Sequence, residues 1–91
     1  MKIKFFEGHE QAAAKVYYYN DGTMALISYK TTVAQVDPEG WLSINGLYSR
    51  TTIKHIGWFA QLLGTTYTTC KQIYHDNKEM NIHTGEIRDW E

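Results

Sequence analysis

The chain alternates between short runs of strand-forming residues and strong turn signals. Val16-Tyr17-Tyr18-Tyr19 and Thr23-Met24-Ala25-Leu26-Ile27-Ser28-Tyr29 flank Asn20-Asp21-Gly22. Asp-Gly tolerates the positive φ of a tight hairpin, so this stretch predicts two paired strands. Asp37-Pro38-Glu39-Gly40 fits a type I turn, with Pro at the second position and Gly at the fourth. It joins Thr31-Thr32-Val33-Ala34-Gln35-Val36 to Trp41-Leu42-Ser43-Ile44. In the first of these, Thr31, Val33 and Gln35 are expected on one face and Thr32, Ala34 and Val36 on the other. Trp41 and Ser43 should oppose Leu42 and Ile44. Tyr29-Lys30 marks a bend or bulge, because one strand across both sides of it would be unusually long.

After Asn45-Gly46 the period changes from two to between three and four. Ile53, Ile56, Ala60 and Leu63 recur as one face of a helix, with Ser49 or Thr51 as its cap and Gly64 as its stop. Gly57 lies inside this helix on its apolar side, where close packing on the sheet would account for it. Thr65 to Tyr74 is rich in β-branched and aromatic residues and reads as a strand over 66–74. His75 to Lys78 reads as a turn and Glu79 to His83 as a short edge strand. From about residue 84 the chain either frays or folds back through Ile87 and Trp90. Ile3 to Phe6 reads as a strand and Glu10 to Lys15 as a helical turn. The expected fold class is α+β: an antiparallel β-meander of about 4–6 strands packed against one main α-helix at about 50–63. The expected organisation is a single domain, residues 1–91.

Composition narrows the function classes. Of 91 residues, 9 are Lys or Arg and 10 are Asp or Glu, a formal net charge of −1. That balance argues against a duplex-coating basic protein and against an acidic mimic of nucleic acid. One cysteine cannot build an intramolecular disulfide framework. There is neither an apolar signal region nor an apolar run long enough to cross a membrane. The expected setting is a reducing cytoplasm without membrane contact.

Signatures of catalysis fail in turn. His9-Glu10 begins like a zinc-protease helix, but position 13 is Ala. There is no glycine-rich phosphate loop and no Gly-x-Ser-x-Gly elbow. His9, His55, His75 and His83 have no ligand-pair spacing. His75, Asp76 and His83 either meet across a terminal hairpin or are surface groups near a turn. Cys70 reads as a small buried hydrophobe rather than a reactive thiol. The expectation is no enzyme, no metal and no cofactor.

Two surface features remain. No acidic residue lies between Glu39 and Asp76, whereas Arg50, Lys54 and Lys71 do. At about 100° per residue, Lys54, Trp58 and Gln61 point away from the Ile53 face, with Thr51, His55 and Leu62 beside them. An outward Trp58 among cations fits a binding hot spot or a base-stacking surface; packing under the C-terminal tail against Trp90 is the alternative. Tyr17 and Tyr19 share a sheet face opposite Tyr18, suited either to cross-strand packing or to stacking bases.

Ser28-Tyr29-Lys30-Thr31-Thr32-Val33-Ala34, followed by Tyr48-Ser49-Arg50-Thr51-Thr52-Ile53-Lys54-His55, resembles small phage, plasmid and prophage proteins grouped as a domain of unknown function. These pair a Ser-Tyr-x-Thr-x-Val-Ala strand with a Tyr-Ser-x-Thr-Thr-x-Lys-His helix start. The resemblance covers about residues 26–63 and implies a mobile-element protein in a bacterial host cytoplasm. Such proteins resemble anti-defence factors, anti-CRISPR proteins among them, which act by binding. The leading expectation is an inhibitor or adaptor that binds a host protein complex, a CRISPR effector being one candidate, and blocks its nucleic-acid site or assembly. The alternative is a module binding nucleic acid or a signalling nucleotide. The candidate contact residues are Tyr48, Ser49, Arg50, Thr51, Thr52, Lys54, His55 and Trp58. A homodimer on a sheet edge or on Trp58 stays open.

Overall fold

A computed structural model describes residues 1–90. The expected meander is present and longer than expected: seven strands instead of about 4–6, and two helices instead of one. In chain order these are β1 (Lys2–Phe5), β2 (Ala14–Tyr18), β3 (Met24–Ser28), β4 (Thr31–Val36), β5 (Trp41–Ile44), α1 (Arg50–Leu62), α2 (Tyr67–His75), β6 (Lys78–Asn81) and β7 (Ile87–Asp89). The strands pair antiparallel in sequence order. The two helices form an excursion from the end of β5 that returns to β6 beside it.

The hairpin turns behave as their residues dictate. Gly22 adopts φ +96° between β2 and β3. The Asp37 carboxylate accepts from the N–H groups of Glu39 and Trp41, each at 2.9 Å, and closes the β4–β5 turn. Tyr29-Lys30 is neither bend nor bulge. It is a two-residue hairpin loop, with Ser28 opposite Thr31. The bulge lies further on: Leu26 pairs with Ala34 and Ile27 with Thr32, so Val33 is the extra residue. The bulge breaks the expected alternation. Thr32 shares a face with Ile27, while Val33 joins Ala34 and Val36 in the core.

The segment expected as a strand over 66–74 is instead helix α2, Tyr67–His75. Thr66 caps the helix by accepting from Thr69 N–H at 3.2 Å. Cys70 and Ile73 are buried on its inner face, against β5 and β6. Threonines lower helix propensity by only tenths of a kcal/mol each. Burying Cys70 and Ile73 outweighs that at about 1.5–3 kcal/mol for a large aliphatic chain. Cys70 is the buried hydrophobe expected, its thiol pushed up to about 11 by burial. β6 is interior rather than an edge strand. The segment from about 84 folds back, and β7 pairs with β6. Glu10 to Lys15 is a loop running into β2, not a helical turn.

Both helices pack on one face of the sheet, α1 over β3 and β4 and α2 over β5 and β6. The core joins Val16, Leu26, Ala34, Leu42, Ile44 and Met80 to Ile56, Phe59, Cys70 and Ile73. Helix α1 ends as expected at Gly64, φ +80°, where Thr65 N–H bonds the Ala60 carbonyl at 2.9 Å. Its buried face is rotated from the expected one: Thr52, His55, Ile56, Phe59 and Ala60 are buried, while Ile53 is only half-buried. Close packing does not account for Gly57, since a Cβ there would meet nothing within 4 Å. Gly57→Ala should therefore stabilise the protein by about 0.5–1 kcal/mol. Its thermal midpoint by circular dichroism should rise by several degrees. An unchanged or lower midpoint would contradict this reading of the helix.

Candidate functional site

The two stretches that carry the resemblance meet in space. Ser28, the last residue of β3, lies 2.8 Å by Oγ from Nδ1 of His55 on α1. Both residues are about 2% exposed. The bond ties α1 to the sheet where its apolar contacts leave a polar gap. Burial, and then the nearby Lys54 charge, push the His55 pKa down, so the imidazole is neutral at pH 7. The Ser28 hydroxyl and the imidazole are sealed from solvent. A nucleophile and base need an open approach for substrate, and this pair has none.

The same bond anchors the hairpin loop that leaves β3. Tyr29 sits at φ +58°, a left-handed conformation that costs a tyrosine about 1 kcal/mol or more. Its N–H donates to the Ala13 carbonyl at 2.7 Å. Its ring is 59% exposed and lies 6.2 Å from the His55 ring. Lys30 is exposed beside it. Sequence reasoning did not single out Tyr29 and Lys30 as contact residues. The signal was there in Ser28-Tyr29-Lys30, but only the Ser28–His55 bond places this turn beside α1.

The start of α1 is built to hold its shape. Ser49 caps it, accepting from Thr52 N–H at 3.2 Å. The Tyr48 ring lies on Gly46, where any Cβ would overlap it. Tyr48 is nevertheless 62% exposed. Ser49, Arg50, Thr51 and Lys54 are exposed as expected. Thr52 and His55 are buried and leave the contact set; they are the helix's inward polar residues. Trp58 is half-buried rather than the free outward aromatic. His9 stacks on it at 4.0 Å and 18°, Phe6 packs at 5.6 Å, and the Lys54 ammonium lies 5.4 Å from its ring centre. Its cover is thus the β1–β2 connection and not the C-terminal tail. Beside it runs a shallow cleft of about 310 Å³, lined by Phe6, Glu7, His9, Trp58, Gln61 and Leu62.

Charge is segregated. Among the described residues, ion pairs form only at the β6–β7 end: Lys78 with Asp89 at 2.6 Å, and Arg88 with Glu79 at 2.9 Å and Asp37 at 3.9 Å. None involves Lys30, Arg50 or Lys54. The described residues contain no group of three or more His, Cys, Asp or Glu side chains placed to hold a metal ion. None of their helices is long and apolar enough to cross a membrane.

Fold and surface define a two-layer α+β protein with a seven-stranded antiparallel meander, two helices on one face and a cationic, tyrosine-bearing patch beside α1. The chain belongs to a family of unknown function (DUF8033), whose pattern matches residues 1–81. No curated protein and no solved structure matches it.

The buried imidazole makes stability depend on pH. Below about 6.5 the unfolded chain takes up a proton at His55 that the folded chain refuses. Stability should therefore fall with acidification from that point until the pH passes the lower folded pKa. His55→Gln should cost about 1–3 kcal/mol at pH 7.5, through lost packing and an unpaired Ser28 hydroxyl. The variant should lose less further stability than the wild type between pH 7.5 and 5.5. Urea unfolding at the two pH values measures both quantities. Equal acid losses would contradict the buried, neutral His55.

Proposed function

We propose that this chain is a non-enzymatic binding protein of a phage or mobile element. In this reading it docks onto a bacterial host protein complex through the outer side of α1 and inhibits a defence system in the manner of anti-CRISPR proteins. The observation that carries the reading is a set of exposed aromatics among cations without ion partners. Tyr48 and Tyr29 supply the aromatics and Arg50, Lys54 and Lys30 the charge. Tyr and Arg are the residues that dominate protein interface energetics. The sealed Ser28–His55 pair and the shallow cleft supply no catalytic constellation to compete with it.

The charge sets the partner surface. A cationic patch is repelled by a cationic nucleic-acid groove, so the fitting target is an acidic surface used in assembly. The backbone strain at Tyr29 supports the same reading. Strain persists where the rest of the fold over-determines it, and it clusters at working sites.

A second reading is favoured by one feature. The first turn of α1 carries no acidic residue, and the Ser49 cap engages the Thr52 N–H, which leaves those of Arg50 and Thr51 for a ligand. That arrangement suits phosphate beside a stacked base, as in nucleic acid or a signalling nucleotide.

Affinity purification of the tagged protein from host lysate, with and without nuclease, tests the proposal. A stoichiometric protein partner should survive nuclease and be lost, by tenfold or more, from Arg50→Glu/Lys54→Glu protein. Tyr29→Asn should hold or raise the thermal midpoint while weakening capture, since Asn tolerates the left-handed conformation. Nuclease-sensitive capture would favour the second reading. Capture indifferent to both variants would overturn the α1 surface altogether.

A further inference from the structure

A second surface lies on the other side of the molecule. The helices cover one face of the sheet, and strand pairing identifies what the opposite face carries. Lys2 pairs with Tyr18 and Lys4 with Val16, on the side of the core. Ile3 pairs with Tyr17 and Phe5 with Lys15, on the open side. The ring of Tyr19 lies 6.2 Å from that of Tyr17, and the Lys15 ammonium is 5.9 Å from the Tyr17 ring centre. Phe5 is 53% and Tyr19 40% exposed.

Charge at this end has one sign. Strands β1 and β2 carry Lys2, Lys4 and Lys15 and no carboxylate. The neighbouring acids lie in the connections. Asp21 accepts from Thr23 N–H at 2.8 Å within its own turn, Glu10 accepts from His9 N–H at 3.1 Å, and Glu7 lines the cleft beside Trp58 on the helix side. The open-face acids Asp37 and Glu79 both contact Arg88 at the far end. That end is about four strand spacings, roughly 19 Å, from β2.

From this juxtaposition we infer that the open face of β1 and β2 binds single-stranded nucleic acid. Bases stack on Phe5, Tyr17 and Tyr19, and Lys15, the lysine of these strands on the open face, meets a phosphate. Residues two apart on one strand stand about 6.6 Å apart, near the spacing of nucleotides in an extended strand. Exposed aromatic rings are platforms that every base can use. The lysines also account for the edge: they blunt β1 against pairing with another strand and leave its face to other partners. This surface is separate from the α1 patch, and either can fail without the other.

Fluorescence anisotropy with labelled dT12 and rU12 tests the inference on the intact protein. Binding is expected to weaken with salt only gently, with a log–log slope of about −0.7 for the one open-face lysine. Phe5→Ala and Tyr19→Ala should each weaken binding by roughly fivefold or more. Both side chains are exposed, so circular dichroism should show both variants folded. Lys71→Gln, at an exposed position of α2 outside both surfaces, should bind like the wild type. No binding to either oligonucleotide would overturn the inference, as would binding unchanged in Phe5→Ala and Tyr19→Ala. Binding lost instead in the Arg50/Lys54 variant would place nucleic acid on α1 and also overturn it. Self-association in sedimentation that disappears in Phe5→Ala would make a second copy the occupant, with the same consequence.

Discussion

A single buried hydrogen bond between Ser28 and His55 organises the surface of this protein. It joins the end of β3 to the second turn of α1 at a point where both groups are out of reach of water. Losing either partner leaves the other unsatisfied in a low-dielectric interior, a larger penalty than the bond's own net worth. The bond thereby fixes the rotation of α1 about its axis. With His55 turned inward, Lys54 must face solvent. The bond also fixes the turn after Ser28, so that Tyr29 and Lys30 emerge beside the same helix. A contact of this kind is polar, specific in distance and indifferent to hydrophobic periodicity. It gives two segments far apart in the chain one exposed patch.

Around this bond the molecule sorts its charges. The β6–β7 end neutralises itself: Arg88 lies 3.9 Å over the Trp41 ring and contacts Glu79 and Asp37. The α1 side and the β1–β2 end keep their cations without ion partners among the described residues. A net charge of −1 thus conceals two cationic, aromatic surfaces on opposite layers.

The sequence disclosed the meander through its turns, because Asp-Gly and Asp-Pro-x-Gly dictate backbone geometry locally. It disclosed α1 through period and caps. It hid α2, since a threonine-rich segment with aromatics satisfies strand propensity, and only the burial of Cys70 and Ile73 against β5 and β6 decides for helix. A clue was present in Tyr67, Cys70 and Ile73, three apart, but it is short. β7 was hidden because it is three residues long and is held by pairing with β6. The rotation of α1 was misjudged for a physical reason: reading only apolar residues as inward excludes Thr52 and His55, and the polar core contact is what turns the helix. Of the expected contact residues, Thr52 and His55 are buried, Tyr48, Ser49, Arg50, Thr51 and Lys54 are exposed, and the exposed Tyr29 and Lys30 emerge at the turn tied to α1. Trp58 was assigned too much freedom, because its cover, Phe6 and His9, arrives from the connection between β1 and β2.

Hydrogen–deuterium exchange of the protein, alone and saturated with its captured partner, tests the central claim most directly. The α1 surface predicts added protection in the β3–β4 turn at residues 29–31 and in residues 48–55, with β6 and β7 unchanged. Protection confined to β6 and β7, or none at all, would contradict it.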